Sequence, residues 1–370
     1  MKRLVLAGGG HAHLQVLAQF GGRPPEGCQV DLVSPHEHQI YSGMLPGWIA
    51  GHHALEECVV PLRPLADRAG IAFHLAAATD LDMTRNTLHC DDGGSLDFDV
   101  LSLDVGPAPA LEGLLLASAD VLPIRPLAGL VEAWPRLMER IAGRSSPFHL
   151  VIVGAGAGGF ELALSVHHRA MREGWAHLKL TLVGSGATPL EGAPERARKM
   201  AMALLVRRGI GWQGQRRVES VQAHEVRFTR QAPLHFDACW LATGAAAPEW
   251  LRGSGLDLDA RGFVRVTDRL ASVSHSHVFA AGDVAALDVS PPLPKSGVYA
   301  VRAGPPLAHN LRAICDRQAL VRWKPQQRAL YLVSTGDRNA IGIWGRWSWQ
   351  GRWAWHWKSR IDRAFVSAYT

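Results

Sequence analysis

"HLVIVGAGAGGFELAL", residues 149–164, decides how the rest of the chain is read. An apolar β-type run, His149 to Val153, leads into Gly154-x-Gly156-x-x-Gly159, and a helical pattern of apolar residues follows. Each glycine has its own task at a phosphate cradle. The first permits the tight turn, the second lets the backbone approach a pyrophosphate, and the third lets the helix pack closely on the strand. The helix N-terminus, with unpaired N–H groups and a positive dipole end, then meets the negative charge. Glycines at this spacing also occur in plain turns; the strand before and the helix after are what favour a dinucleotide site here.

With that cradle in hand, the amino end reads as a second one. "LVLAGGGHAHL", residues 4–14, ends a strand expected over residues 3–7 with Gly8-Gly9-Gly10, then His11 and Ala12. His13 stands where a third glycine is expected, either filling the helix–strand contact or reaching toward the ligand. Each unit should continue to a second strand ending in an acid for the ribose hydroxyls. Those strands are "QVDLVS" (29–34) and "LKLTLVG" (178–184), but Ser34, followed by Pro35, and Gly184 occupy the acidic places. Glu37 is a substitute at the first site, and Arg196 or Arg198 could meet a 2′-phosphate at the second. The choice between NADH and NADPH stays open.

Composition narrows the partners. The 370 residues, 47% hydrophobic and 19% charged, suffice for two or three domains with cores of their own. A net charge of +6 suits an anionic partner such as a dinucleotide or a phospholipid surface. No nucleic-acid module is present, so nucleic acid is not an expected partner. The five cysteines lie far apart in sequence with no CxxC, which reads as reduced and cytoplasmic. The most apolar long window, 148–164, is broken by glycines and Glu161 and does not read as a membrane span. Histidines come in pairs (His11 and His13, His36 and His38, His52 and His53, His167 and His168) without the acids or thiolates a metal site needs, and no metal is expected.

Three further segments carry a resemblance. "FDVLSLDVG" (98–106), "FDACWLATGAAAP" (236–248) and "HVFAAGDVA" (277–285) follow in the order seen in two-dinucleotide-binding-domain flavoproteins. These belong to the pyridine nucleotide-disulfide oxidoreductase superfamily. "YSGMLPGWIAG" (41–51), "PLPKSGVYAVRAGPPLAHNL" (292–311) and "YLVSTGDRNAIG" (331–342) most resemble type II NADH dehydrogenases and the flavoprotein module associated with selenide, water dikinase. The resemblance implies an α/β chain with two Rossmann-like, three-layer domains, the second inserted in the first. It divides the chain into an FAD domain (1–115 and 265–325), an NAD(P)H domain (120–262) and a small C-terminal cap (326–370).

The same resemblance implies residue roles. FAD would be held by Gly8, Gly9, Gly10, His11, Ala12, Ser34, Pro35, Ser42, Gly106, Gly282, Asp283, Lys295, Ser296 and Gly297, with Asp283 on the ribityl chain. NAD(P)H would be held by Gly154, Gly156, Gly158, Gly159, Glu161, Gly184, Thr243 and Gly244. Lys295, beside the start of a helix expected over 296–316, would stabilise reduced flavin with that helix's positive end. Tyr41, Ser42 and Met44 would face the electron acceptor. The implied activity is FAD-dependent oxidation of NAD(P)H, with electrons leaving to a quinone or another small acceptor. A redox partner in selenium or sulfur metabolism is one alternative; a flavin-binding module without nicotinamide turnover is another. Residues 41–46 hold no cysteine pair, and Cys239 and Cys315 are only formally available, so dithiol relay chemistry is not expected.

The tail is unusual: seven of the 13 tryptophans fall in residues 323–357, alternating with Arg and Lys. They recur first at strand period and then at helical spacing. Indoles and basic residues suit the surface of a membrane, as a peripheral attachment on its inner face. The competing expectation is a strand pair and helix packed on the FAD domain or on the partner of a homodimer.

Overall fold

Runs of Val, Leu, Ile and Ala too apolar for one-sided burial form the centres of two parallel sheets. The computed structural model describes residues 1–111, 114–117, 120–222, 224–289 and 292–370, with 115–117 as backbone only. In the first sheet Lys2–Ala7 is the middle strand, flanked by Cys28–Ser34 and Val100–Leu103, with Ala72–Leu75 and Val278–Ala280 outermost. In the second, Phe148–Val153 is central, flanked by Leu178–Val183 and Ala238–Leu241, with Gly211–Gln213 and Val121–Pro123 outermost. Every pairing in both sheets is parallel.

Each sheet also carries a small antiparallel meander, Ala78–Asp82 to Ser95–Asp97 on the first and Val218–Gln222 to Gln231–His235 on the second. The two halves therefore repeat one plan. Where the chain crosses between them, Ala108–Pro109 and Ala245–Ala246 pair as a short antiparallel ladder.

The strands feed helices whose starts carry the glycines. His11–Phe20 follows the first turn and Ala157–Glu173 the second. Gly297–Cys315, which starts after Ser296, packs against His11–Phe20 so closely that a Cβ on Gly304 would lie 2.6 Å from Gln15 Cβ.

Side-chain packing does not respect the expected boundaries. Leu45 and Ile49 join the core of the second sheet, while Leu251 and Leu256 already belong to the first, ahead of the return expected near residue 265. The tail forms a three-stranded sheet, Leu330–Ser334, Ala340–Trp344 and Trp347–Gly351, followed by the helix Arg352–Ser367. Val333, Ile341 and Ile343 pack into the second core, whereas Val366 and Tyr369 pack into the first. The cap thus bridges the two halves. Among the described residues no helix is long and apolar enough to cross a membrane.

Candidate functional site

The first glycine turn lines a groove together with the ends of neighbouring strands. Gly8, Gly9, Gly10, His11, Ser34, Pro35, Ser42, Gly106, Asp283 and Gly297 meet there, as do Gln39, Arg125 and Trp250. Gly8 has φ +94, and a Cβ on it would lie 2.4 Å from the Asp104 carbonyl oxygen. A Cβ on Gly10 would lie 2.3 Å from Asp104 Cγ, and one on Gly282 the same distance from Asp104 Oδ1. Glycines of two distant motifs are needed, in part, to admit one buried carboxylate.

That carboxylate was not singled out from the sequence. Asp104 Oδ2 accepts the amides of Ala12 (2.8 Å) and His13 (3.0 Å), capping the helix from across the sheet. Burial pushes its carboxyl up to about 7, with the two amide bonds pulling the other way. Two N–H groups at this helix end are thereby met by the protein itself, and Ala12 offers the groove no free amide.

His13 resolves its own ambiguity. It is fully buried, with Nδ1 2.6 Å from the Gly8 carbonyl and Nε2 2.8 Å from Ser102 Oγ. A carbonyl only accepts, so Nδ1 carries the proton and Nε2 accepts from Ser102. Burial lowers its pKa to about 4 and holds the ring neutral. The imidazole fills the helix–strand contact.

The neighbouring His11 differs. Its Nε2 is buried without a hydrogen-bond partner among the described residues, while its ring packs at 5.6 Å on both Tyr41 and Phe365. Burial brings its pKa to about 4, with Asp283 opposing and Arg125 assisting. Ser296 Oγ, at the start of Gly297–Cys315 and on the adjoining second cleft, is another buried polar atom without a partner among the described residues. Orphaned polar atoms beside glycine turns fit a polar ligand lying along the groove.

At the second turn, a Cβ on Gly154 (φ +110) would lie 2.1 Å from the Ala242 carbonyl oxygen, and one on Gly159 1.9 Å from that of Gly154. Gly156 and Gly244 face open space. Gly154, Gly156, Gly158, Glu161, Gly184, Thr243 and Gly244 line one long cleft, which also reaches Ser42, Gly43, Leu45, Lys295, Ser296 and Gly297. The two grooves therefore share Ser42, Arg125, Leu127 and Gly297. Gly159 lies beneath, in the strand–helix contact.

Other expected residues land differently. Met44, just before the short helix Leu45–Ile49, is buried in the first core and lines neither groove. Tyr41 stands behind His11, stacked on Phe365 at 4.5 Å. Lys295 Nζ is held by the Ala285 carbonyl and lies 3.8 Å from the centre of the Phe263 ring. Burial lowers its pKa to about 8, against the pull of Asp283. Ser34 turns its hydroxyl to the His36 carbonyl, and Glu37 pairs with Arg63 at 3.1 Å. Neither Arg196 nor Arg198 lines the second cleft; Arg216 and Arg217 do. Asp283 is paired with Arg125 at 3.2 Å.

Where the halves meet, a charged cluster is buried. Lys358 Nζ donates to the Gly43 carbonyl and to Asp362 Oδ2, both at 2.6 Å, and Tyr41 Oη donates to Asp362 Oδ1 at 3.2 Å. Burial opposes the charge on Lys358, but Asp362 and Glu161 more than offset it, and its pKa is raised. Glu161 Oε1 accepts the Ser334 amide at 2.7 Å, and burial lifts its carboxyl to about 7.

The thiols are arranged otherwise than the sequence spacing implies. Cys28 and Cys315 Sγ lie 3.2 Å apart, at the start of a seven-residue strand whose far end, roughly 20 Å away, reaches the groove. Cys58 is the cysteine near Tyr41, and burial pushes its thiol up to about 12. Among the described residues no His, Cys, Asp or Glu group gathers as metal ligands.

Known proteins share this fold. The NADH dehydrogenase-like protein YutJ of Bacillus subtilis (strain 168) is 23% identical over 296 residues, 79% of either chain. The sulfide-quinone reductase of Aquifex aeolicus (strain VF5) is 21% identical over 367 residues, 91% of this chain and 82% of its own. The solved structure of the sulfide:quinone oxidoreductase from Aquifex aeolicus superposes with a TM-score of 0.83 at 18% identity, over 100% of this chain and 92% of that one. The NDH2 of Plasmodium falciparum, solved in complex with NADH, gives 0.82 at 12% identity, over 100% and 97%. The family description "Pyridine nucleotide-disulphide oxidoreductase" matches residues 2–310, so with both glycine cradles inside that span, the chain belongs to this family.

Proposed function

We propose that this protein oxidises NAD(P)H through FAD and delivers the electrons to a quinone at a membrane surface. It is an FAD-dependent NAD(P)H oxidoreductase, as its family membership and relatives support. FAD, when bound, takes a hydride from the nicotinamide and passes two electrons to an acceptor. We assign the groove at Gly8–Gly10 to FAD, with His11 Nε2, Ser296 Oγ and Asp283 as polar contacts, and the cleft at Gly154–Gly159 to NAD(P)H.

The observation that carries the acceptor reading is the two-sidedness of Arg352–Ser367. A surface helix normally turns its apolar stripe inward. Here the inner side holds the charged Lys358 and Asp362 between Ala354 and Val366, while Trp353, Trp357 and Ile361 are 55%, 43% and 43% exposed at i, i+4, i+8. Arg352, Arg360 and Arg363 flank that stripe, and Trp347 on the adjoining strand is 72% exposed. Indoles with guanidinium neighbours suit an anionic lipid interface.

Reducing a quinone also takes two protons. Glu161, with its carboxyl near 7 and on the cleft, and the Tyr41–Asp362–Lys358 chain beside Ser42 and Gly43 hold exchangeable protons there. A two-thiol sulfide oxidation is less favoured, since Cys58 has no second cysteine at the Tyr41 segment. The unpaired cysteines favour the cytoplasmic face of the membrane.

Purified protein should be yellow, bleach with NADPH or NADH without oxygen, and recover colour on adding a short-chain quinone. It should float with phosphatidylglycerol vesicles, and the Trp353→Glu/Trp357→Glu variant should lose that flotation on the order of tenfold while still bleaching. Recovery with no quinone, or full flotation of the variant, would overturn the reading.

A further inference from the structure

One end of the second cleft lies over the ends of the second parallel sheet. Three parallel strands end side by side there: Phe148–Val153 at the glycine turn, Leu178–Val183 at Gly184, and Gly211–Gln213 at the loop that continues to Arg217. A nucleotide whose pyrophosphate lies at Gly156 extends its adenosine toward the second and third of these ends.

An unphosphorylated ribose asks for a carboxylate at the end of the second strand, where both hydroxyls donate to it. This chain cannot supply one. A Cβ on Gly184 would lie 2.7 Å from Trp212 Cη2 and 2.9 Å from Ala155 Cβ, so no side chain fits. Glu191, the carboxylate of the following loop, turns back against Gly186, and it does not line the cleft.

Two guanidinium groups stand there instead. The Arg216 amide donates to the Gly184 carbonyl at 3.1 Å, and the Gln215 amide to Gly186 at 2.8 Å, stitching the arginine loop to the strand end. Arg216 lies 5.1 Å from the centre of the Phe228 ring, which orients it, and Arg217 is exposed. Neither forms an ion pair among the described residues, and Glu219 is the carboxylate sharing this rim of the cleft.

We propose that the cleft selects NADPH, with Arg216 and Arg217 receiving its 2′-phosphate. The inference rests on assigning this cleft to NAD(P)H. A phosphate dianion takes two N–H bonds from one planar guanidinium, and a strand-end carboxylate would repel it. The missing acid and the paired arginines are two sides of one preference.

The test is equilibrium binding to the purified holoprotein, read by quenching of tryptophan fluorescence. The probes are adenosine 2′,5′-bisphosphate and adenosine 5′-monophosphate. The bisphosphate should bind on the order of tenfold or more tightly. Arg216→Gln/Arg217→Gln should bring the two affinities together by weakening only the bisphosphate. Arg217→Gln alone, at an exposed position, should show several-fold of that loss with little effect on folding. Equal affinities in the natural protein, or a preference that survives both changes, would overturn the inference and leave NAD(P)H oxidation standing. Binding of neither nucleotide would overturn both.

Discussion

Asp104 sits where Gly8, Gly10 and Gly282 converge, each unable to carry a Cβ because Asp104 atoms lie within 2.4 Å of it. Its charge has a consequence for stability. The ordinary carboxyl value is 3.8, and in the folded protein it is about 7. Between those values the folded state binds more protons than the unfolded one, so stability falls as pH rises through that window, by a few kcal/mol at most. Asp104→Asn keeps an oxygen for the Ala12 and His13 amides and removes the titration. Glu161 shifts the same way, so the comparison is between the two proteins. From pH 5 to 7.5 the urea midpoint of the natural protein should drop relative to that of Asp104→Asn. Parallel midpoints would mean Asp104 is not held protonated.

At the scale of elements, the helix Ala157–Glu173 separates two tasks that one motif combines. Gly159→Ala would set a Cβ 1.9 Å from the Gly154 carbonyl oxygen, forcing helix and strand apart. We expect a loss of roughly 1–3 kcal/mol, or a lower thermal midpoint with aggregation. Gly156, at φ −68, has nothing within 4 Å of such a Cβ, so Gly156→Val should fold within roughly 0.5 kcal/mol of the natural protein. It should stay yellow yet bleach poorly with either nicotinamide, because the valine fills the space a pyrophosphate needs. Retained bleaching would remove the second cradle from the site.

The elements themselves were well marked in the sequence. Strands expected at 149–153 and 178–184 are Phe148–Val153 and Leu178–Val183, and the helix expected over 296–316 is Gly297–Cys315. The tail's two tryptophan periods correspond to Trp347–Gly351 and Arg352–Ser367. What the pattern left open is which way that last helix faces: Ala354, Lys358, Asp362 and Val366 turn inward, while Trp353 and Trp357 turn outward.

For the molecule as a whole, the cap is the clamp. Its strands bury Val333, Ile341 and Ile343 in the second core, its helix and the turn after it bury Val366 and Tyr369 in the first, and Lys358 ties it to Gly43 between them. The full chain should therefore unfold in one thermal transition. Ending the chain at residue 326 uncovers apolar surface on both halves, and the shortened protein should melt at lower temperature in two steps or precipitate. A truncated protein melting like the full one would show the halves hold each other without the cap.

The amino-acid sequence by itself determined the two strand–glycine–helix units, their order and the family they resemble. Those features depend on contacts within about twenty residues, where spacing alone dictates which backbone can turn and which helix can close on its strand. The tertiary structure alone decided which charges meet. Asp104 caps a helix 92 positions away, Lys358 bonds a carbonyl 315 positions away, and Cys28 touches Cys315 across 287. Arg216 and Arg217 reach the cleft beside Gly184 because Gly211–Gln213 pairs beside Leu178–Val183. No local period encodes such meetings: a buried charge is stable only with a partner, and the partner comes from a segment whose own pattern says nothing of it.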